Sequence, residues 1–399
     1  MAVFTYIILL AFLNITLAED CIINNIPEHM AFEKQLRKDL TCDHHIYQPP
    51  SNSSAYKVNI KFLLKRFEFR SDIGVLSMQT WMFITWKDER LKWDPEKYYG
   101  INETELVSFY IWTPTFRLFN SVNSNDYDRF YYETCHLKNT GDVLVVLRTT
   151  HEALCDVKLS KWPYDQQECS LIFGPWTTKS SHFTMNFTSR AIHMWGSEYG
   201  AEWFISDYRQ TVNHSSDRQL TMTFVLERES GGLAAIVVYP AVILTVLSLT
   251  ALFMDVRRFV RLAIACFSLL GHYYFLQELA ANIPKQSADT PNLLLYYRGS
   301  VILSILIIMF SFLLRILCKW KSTPQNYIIS MNDIVFESVG KHFIFPLWNV
   351  EDDTIDIKRF SQDWTKFANI INCVFSVVIL VAYISMYCAL VPQPIPITY

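Results

Sequence analysis

The sequence predicts an extracellular all-β sandwich followed by a four-helix transmembrane bundle. Three observations carry this. Short alternating segments such as Val58-Asn59-Ile60-Lys61-Phe62 and Leu220-Thr221-Met222-Thr223-Phe224, separated by turn-rich pieces, fill the first half of the chain. Long apolar runs of membrane-spanning length fill much of the second. Cys155 and Cys169, with thirteen residues between them, lie behind a secretory-like start, in a compartment where such a pair can close. Closing a loop of about 15 residues is worth about 3 kcal/mol in the chain-entropy model.

Taken in order, Met1 to Ala18 is an apolar run centred on Tyr6 to Leu13 and ending Thr16-Leu17-Ala18, a small-residue pattern that predicts a cleaved signal. Its leading end lacks positive charge, which leaves a signal anchor as the other reading. Residues 19–230 form the expected ectodomain. Asn52, Asn102, Asn186 and Asn213 each begin an N-x-S/T sequon there, in keeping with a lumenal side. Of its cysteines, Cys21 and Cys42 could form a second bridge and leave Cys135 unpaired, and spacing leaves other pairings open.

Residues 231–317 hold three expected helices, over about 233–253, 259–281 and 293–317. Leu233 to Phe253 is uncharged; Leu293 to Leu314 is interrupted by Arg298 and followed by Arg315. Phe259 to Ala281 is apolar but carries Arg261, His272, Gln277 and Glu278. Polar groups at membrane depth are costly, so this helix is expected to face a bundle interior or a water-filled space. A buried amphipathic helix that merely packs is the other reading. Arg257 and Arg258 place the short linker before it on the cytosolic side. Residues 318–366 are then a cytoplasmic loop, 367–391 the fourth helix, and 392–399 an extracellular tail.

A net charge of -3 gives no footprint for nucleic acid. No HExxH, GxSxG or glycine-rich phosphate loop occurs, His44-His45 has no ligand partner at metal-site spacing, and the other histidines are scattered. Neither an enzyme, a metal nor a cofactor is expected.

Read outward from the cysteine pair, the chain resembles the Cys-loop family of neurotransmitter-gated ion channels, most nearly a divergent nicotinic-receptor-like subunit. Trp162-Pro163-Tyr164-Asp165 sits at the centre of the Cys155–Cys169 loop. Trp81, Trp86, Asp88, Leu91, Trp93 and Pro95 are spaced as in the family's W-x4-W-x-D-x2-L-x-W-x-P strand. Ile111 to Asn120 is similar to IWxPDxxLxN, with Thr115 in place of aspartate, and Phe173 to Thr177 to FGSWT. Glu202-Trp203, and Arg228 twelve residues before Pro240, match the last strands and the membrane boundary.

The resemblance implies a Cys155–Cys169 disulfide and a pentamer in the plasma membrane, homomeric or mixed with other subunits. A small-molecule neurotransmitter would bind between neighbouring sandwiches and open an axial pore for inorganic ions across the lipid bilayer. By position Phe119, Trp176 and Tyr208 would form the principal wall of the ligand cage and Trp81 the wall from the neighbour, since cationic ammonium groups are attracted to ring faces. Arg209 to Thr223 holds no aromatic or cysteine, so this principal wall is partial. Asp165 and Arg228 would pair at the base of the sandwich, with Pro163 and Tyr164 pressing on the linker Pro284 to Pro291. Ala263, Phe267, Leu270, Tyr274, Gln277 and Ala281, spaced by four and three, would line the pore, with Leu270 as the hydrophobic gate. Phe267 is bulky where a small or hydroxylated residue is usual, and Tyr274 is bulky too, which with the partial cage motivates a second reading as a non-conducting accessory subunit. Arg257, Arg258 and Arg261 would put basic rings near the inner mouth, and Glu278 an acidic one near the outer end.

Overall fold

The computed structural model describes residues 28–50, 56–122, 132–175, 183–212, 219–283, 289–320, 322–337 and 359–394. The expected signal segment, Cys21, Asn52, Trp176, Asn213 and Pro284 lie outside them. The chain opens with helix α1 (Glu28–Cys42), which buries only Leu36 and Leu40. Ten strands follow: β1 (Tyr56–Arg70), β2 (Val75–Lys87), β3 (Glu103–Val107), β4 (Phe116–Leu118), β5 (Thr134–Lys138), β6 (Asp142–Leu154), β7 (Gln166–Pro175), β8 (Phe183–Met194), β9 (Trp203–Val212) and β10 (Leu220–Arg228). They form a six-stranded sheet, β3-β5-β6-β2-β1-β8, and a four-stranded sheet, β4-β7-β10-β9. The β1–β8 pairing is parallel and the other ladders are antiparallel.

The period-2 burial of β2 and β6 explains the sandwich: one face of each strand is apolar and must be covered. Phe62 of β1, His151 of β6 and Phe173 of β7 meet between the sheets, Phe173 lying 5.5 Å from the Phe62 ring and 5.2 Å from His151. Cys155 and Cys169 are disulfide-bonded, with a Cα–Cα distance of 5.2 Å, and so tie the end of β6 to β7 across the two sheets. Cys135 is buried and unbridged, and burial pushes its thiol up to about 12.

Four helices among the described residues are long and apolar enough to cross a membrane. They are α2 (Gly231–Phe253), α3 (Phe259–Asn282), α4 (Asn292–Cys318) and, after the short α5 (Asn326–Glu337), α6 (Arg359–Leu390). Pro240 interrupts the ladder of α2. In that turn the Tyr297 hydroxyl donates to the Val237 carbonyl at 2.7 Å, tying α2 to α4 beside the proline. Helix α6 starts eight residues before the expected 367. Its first turns hold α5: Asn332 Nδ2 donates to the Asp363 carbonyl at 2.9 Å, and Trp364 stacks on Trp320.

One buried histidine makes the sandwich pH-sensitive. The Trp112 N–H donates to His44 Nε2 at 3.1 Å, so that nitrogen carries no proton and its 3.9 Å approach to Asp88 is not an ion pair. Burial, then the Arg90 charge, holds the His44 pKa below its ordinary 6.5 against the opposing pull of Asp88. The unfolded chain therefore takes up this proton first. The stability that neutral His44 confers is full above 6.5 and is lost as pH falls below it. The melting temperature is expected to drop between about pH 7 and about pH 5, and the drop is expected to be smaller in His44→Gln, whose amide oxygen can still accept the Trp112 N–H.

Candidate functional site

Of the aromatic residues expected to wall a ligand cage between subunits, Phe119 and Tyr208 lie with one sheet and Trp81 in the other, and Trp176 lies outside the described residues. Phe119 follows β4 and is 42 % exposed, its amide bonded to the Ile172 carbonyl at 2.8 Å. Its ring lies against Gly174, where an added Cβ would collide with Cε2 and Cζ. Asn120, the next residue, donates to the carbonyls of Ser170 and Leu154 and accepts from Ile172 N, which fixes the Phe119 turn to β7 and to the end of β6. Tyr208 lies on β9, half-buried against the core. Strands β4 and β9 are the two edges of the four-stranded sheet, so Phe119 and Tyr208 are separated by three strand spacings, about 14 Å sideways, and by a further three positions of register. Trp81 is on the other sheet, directly across from Leu63 and from Arg148. Its ring is already engaged: Lys65 Nζ lies 4.5 Å from the centroid and the Arg148 guanidinium 5.3 Å from it. Nothing in the linear sequence pairs Lys65 with Trp81; the register of β1 and β2 does.

At the base of the sandwich, Asp165 and Arg228 form a two-pronged pair. Arg228 Nε donates to Asp165 Oδ1 at 2.7 Å and Nη2 to Oδ2 at 3.2 Å, with the side chains 5 % and 1 % exposed. The Arg228 backbone N–H also reaches the Asp165 carbonyl, and its guanidinium lies 4.1 Å from the Trp203 ring. Gln167 completes the set by donating to Asp165 Oδ2 and bracing both backbone groups of Lys158. A charge held this way is satisfied on both sides despite its burial.

The loop between the two cysteines reaches the helices. Leu159 and Trp162 are buried in one cluster with Val237 of α2, Leu279 of α3, Leu293 and Tyr297 of α4, and Val391. The Asn292 N–H, at the start of α4, donates to the Ser160 carbonyl at 3.1 Å. Pro163, joined to Trp162 by a cis bond, is buried, and Tyr164 is half-buried. Burial, then Tyr239 of α2 and Tyr387 of α6, pushes the Tyr164 hydroxyl pKa up, so this side chain faces α2 and α6. Linker residues 284–288 lie outside the described residues; the contacts on view run from Leu159 and Trp162 to the helix ends. Sequence reasoning marked Trp162 as part of the loop's centre but not as a contact of the helix ends, and missed Leu159 and Gln167, because nothing local marks those two as more than alternating core.

Helix α3 has two faces. Ala263, Phe267, Leu270, Tyr274, Gln277 and Ala281 are all exposed, with Phe267, Leu270 and Tyr274 at 67 %, 66 % and 62 %. Arg261, Ala265, Ser268, His272 and Leu279 are buried. Arg261, expected near the inner mouth, is instead 1 % exposed inside the bundle. It donates to Asn372 Oδ1 at 2.7 Å, Ser311 Oγ at 3.1 Å and the Met254 carbonyl at 3.2 Å. The physical reason is that these three acceptors satisfy a cation that would otherwise sit unpaired at membrane depth. Gln277 and Glu278 stay exposed. Of the sequons described, Asn102 is exposed before β3 and Asn186 is half-buried in β8, across from Asn59. No group of three or more potential metal ligands occurs among the described residues.

Residues 33–230 match the model of the neurotransmitter-gated ion-channel ligand binding domain. The chain is 23% identical over 273 residues to acetylcholine receptor subunit beta-type acr-3 of Caenorhabditis elegans, covering 67% of this chain and 55% of the relative. It is 25% identical over 313 residues to subunit beta-type lev-1 of the same organism, covering 76% and 60%. Against neuronal acetylcholine receptor subunit beta-4 of Homo sapiens it is 24% identical over 249 residues, covering 61% and 50%. The chain spans about half the length of the curated relatives it matches.

Removing one partner of the Asp165–Arg228 pair strands the other. Asp165→Ala or Arg228→Ala is expected to cost about 3–5 kcal/mol each, and the double substitution markedly less than the sum. Thermal unfolding of the purified protein, run as a double-mutant cycle, measures this coupling.

Proposed function

The chain belongs to the Cys-loop family of neurotransmitter-gated ion channels, and on that premise we propose that it is a subunit of a pentameric ligand-gated channel in the plasma membrane. The observation that carries the proposal is the division of α3 into a buried polar stripe and an exposed apolar one. In a ring of five subunits the exposed stripe of each α3 would face the axis, placing a belt of Leu270 side chains as a constriction that closes by dewetting. Phe267 and Tyr274 would form rings on either side of it.

The N-terminal sandwich would stand outside the cell, with Asn102 and Asn186 as glycosylation sites and the four helices crossing the bilayer. A small transmitter would bind between neighbouring sandwiches. Relatives are named as acetylcholine receptor subunits. This chain would act as the complementary face, through Trp81, because the segment after Tyr208 supplies no aromatic or cysteine up to Thr223. Binding would shift the population toward a state in which the sandwich base moves against the helix ends. Leu159, Trp162 and the Ser160–Asn292 contact would carry that movement, held in register by Asp165 and Arg228. The protein is thus a receptor that transports ions rather than an enzyme.

The aromatic residues beside Leu270 motivate a second reading, an accessory subunit that does not conduct alone. One experiment separates the two: recording from cells that express this chain alone, with surface labelling, while ligands are applied. A gated current supports a channel-forming homomer, and its reversal potential in shifted chloride gives the ion sign. Surface protein without current supports the accessory reading. Phe267→Thr with Tyr274→Val is expected to raise single-channel conductance several-fold, or to restore current where the unmodified chain gives none.

A further inference from the structure

We infer that the face around Trp81 takes a small organic carboxylate and refuses quaternary ammonium ligands. The inference rests on the reading of Trp81 as the wall that one subunit offers its neighbour. Lys65 lies beside two tryptophans, 4.5 Å from the Trp81 centroid and 5.8 Å from that of Trp195, which is 78 % exposed. Arg148, directly across from Trp81 on β6, lies 5.3 Å from the same ring. The β-bulge between Leu64 and Arg66 falls at Lys65 and marks the point where β1 shifts register against β2.

Among the described residues the charge of this face is uncompensated. Lys65 and Arg148 form no ion pair with any described residue. The register aligns His193, Leu63, Trp81 and Arg148 in one row across β8, β1, β2 and β6. Within two residues of that row, on all four strands, there is no aspartate or glutamate. Two cations and two indoles thus share a patch with no carboxylate of its own.

An ammonium ligand arriving at Trp81 would meet ring faces already engaged by cations and two like charges beside them. A carboxylate would meet the opposite situation. Lys65 offers up to three donors and Arg148 a planar fork that fits a carboxylate two-pronged. Trp81 and Trp195 supply flat apolar surface for the rest of a small molecule. The two cations are therefore the specificity-determining residues of this face.

The test uses the full-length oligomer in lipid nanodiscs, with acetate, succinate and glutamate as carboxylate probes and tetramethylammonium as the cationic one. Tryptophan fluorescence is titrated, and the same preparation is recorded in planar bilayers. The expected result is a saturable response to at least one carboxylate, weakened about tenfold or more by Lys65→Gln and by Arg148→Gln. Tetramethylammonium should give none until both substitutions are combined. A response of the unmodified protein to tetramethylammonium alone, or carboxylate binding indifferent to both substitutions, would overturn the inference. So would silence toward every carboxylate with loss of the oligomer in the double variant, which would assign the two cations to an acidic side chain of the neighbouring subunit. Carboxylate binding without any current would count against the channel reading and leave this site standing; current evoked by tetramethylammonium would do the reverse.

Discussion

The rotation of one helix about its own axis governs what this molecule can do, and three polar side chains set it. Arg261, Ser268 and His272 lie on one stripe of α3, and each must find partners away from hydrocarbon. Arg261 reaches Asn372 on α6 and Ser311 on α4; Ser268 bonds Ser248 of α2 at 2.7 Å; the His272 ring is 2.9 Å from the Ser268 carbonyl. Three neighbouring helices thereby grip the same side of α3. With that side turned inward, Phe267, Leu270 and Tyr274 are left on the other, where nothing in the same subunit covers them. Lipid can cover such a face in a lone subunit; in the ring proposed above it would instead meet its counterparts across a narrow axis.

The second constraint lies where sandwich and bundle meet. A sandwich resting on helices by apolar contact alone could slide. Here the Asp165–Arg228 pair fixes the Cys155–Cys169 loop to the last strand, immediately before that strand runs into α2. Arg228 is both the anchor of the loop and the last residue of β10, so a displacement of either reaches the other. Leu159 and Trp162 then carry the loop into a cluster shared by α2, α3 and α4. The disulfide keeps the loop's two ends on different sheets, so relative motion of the sheets becomes motion of the loop. This is how a ligand bound at a wall of the sandwich could bias the helices below.

How much of this was legible in the sequence depends on how local the physics is. The Cys155–Cys169 loop was legible because its cysteines are fourteen positions apart and its centre is a recognisable aromatic-proline cluster. The exposed stripe of α3 was legible because the family resemblance at Leu270 and the following prolines sets the helix rotation, and helical periodicity, a short-range property, then gives the rest. The destination of Arg261 was not, since its partner Asn372 is 111 residues away and nothing in the sequence pairs them. The occupation of Trp81 by Lys65 and Arg148 was hidden for a similar reason: it depends on the registers of β1 with β2 and β2 with β6, and on a bulge at Lys65. The start of α6 at Arg359 was placed too late because hydropathy sees only the part suited to lipid, whereas Asp363 and Trp364 extend the helix by holding α5 and the segment before it. Nothing local in the sequence explains the glycine at 174; the Phe119 ring against it supplies the reason for a missing side chain.

The measurement that tests the two-faced helix most directly is a cysteine-accessibility scan of α3 in the full-length protein, with the exposed native Cys266 first replaced by serine. Cysteines placed one at a time at 263, 267, 270, 274, 277 and 281 should react with a charged, water-borne thiol reagent. Those at 265, 268, 272 and 279 should not. Reaction along the buried stripe, or no reaction on the exposed one while the protein is at the cell surface, would mean that α3 is turned otherwise and that this face lines no pore.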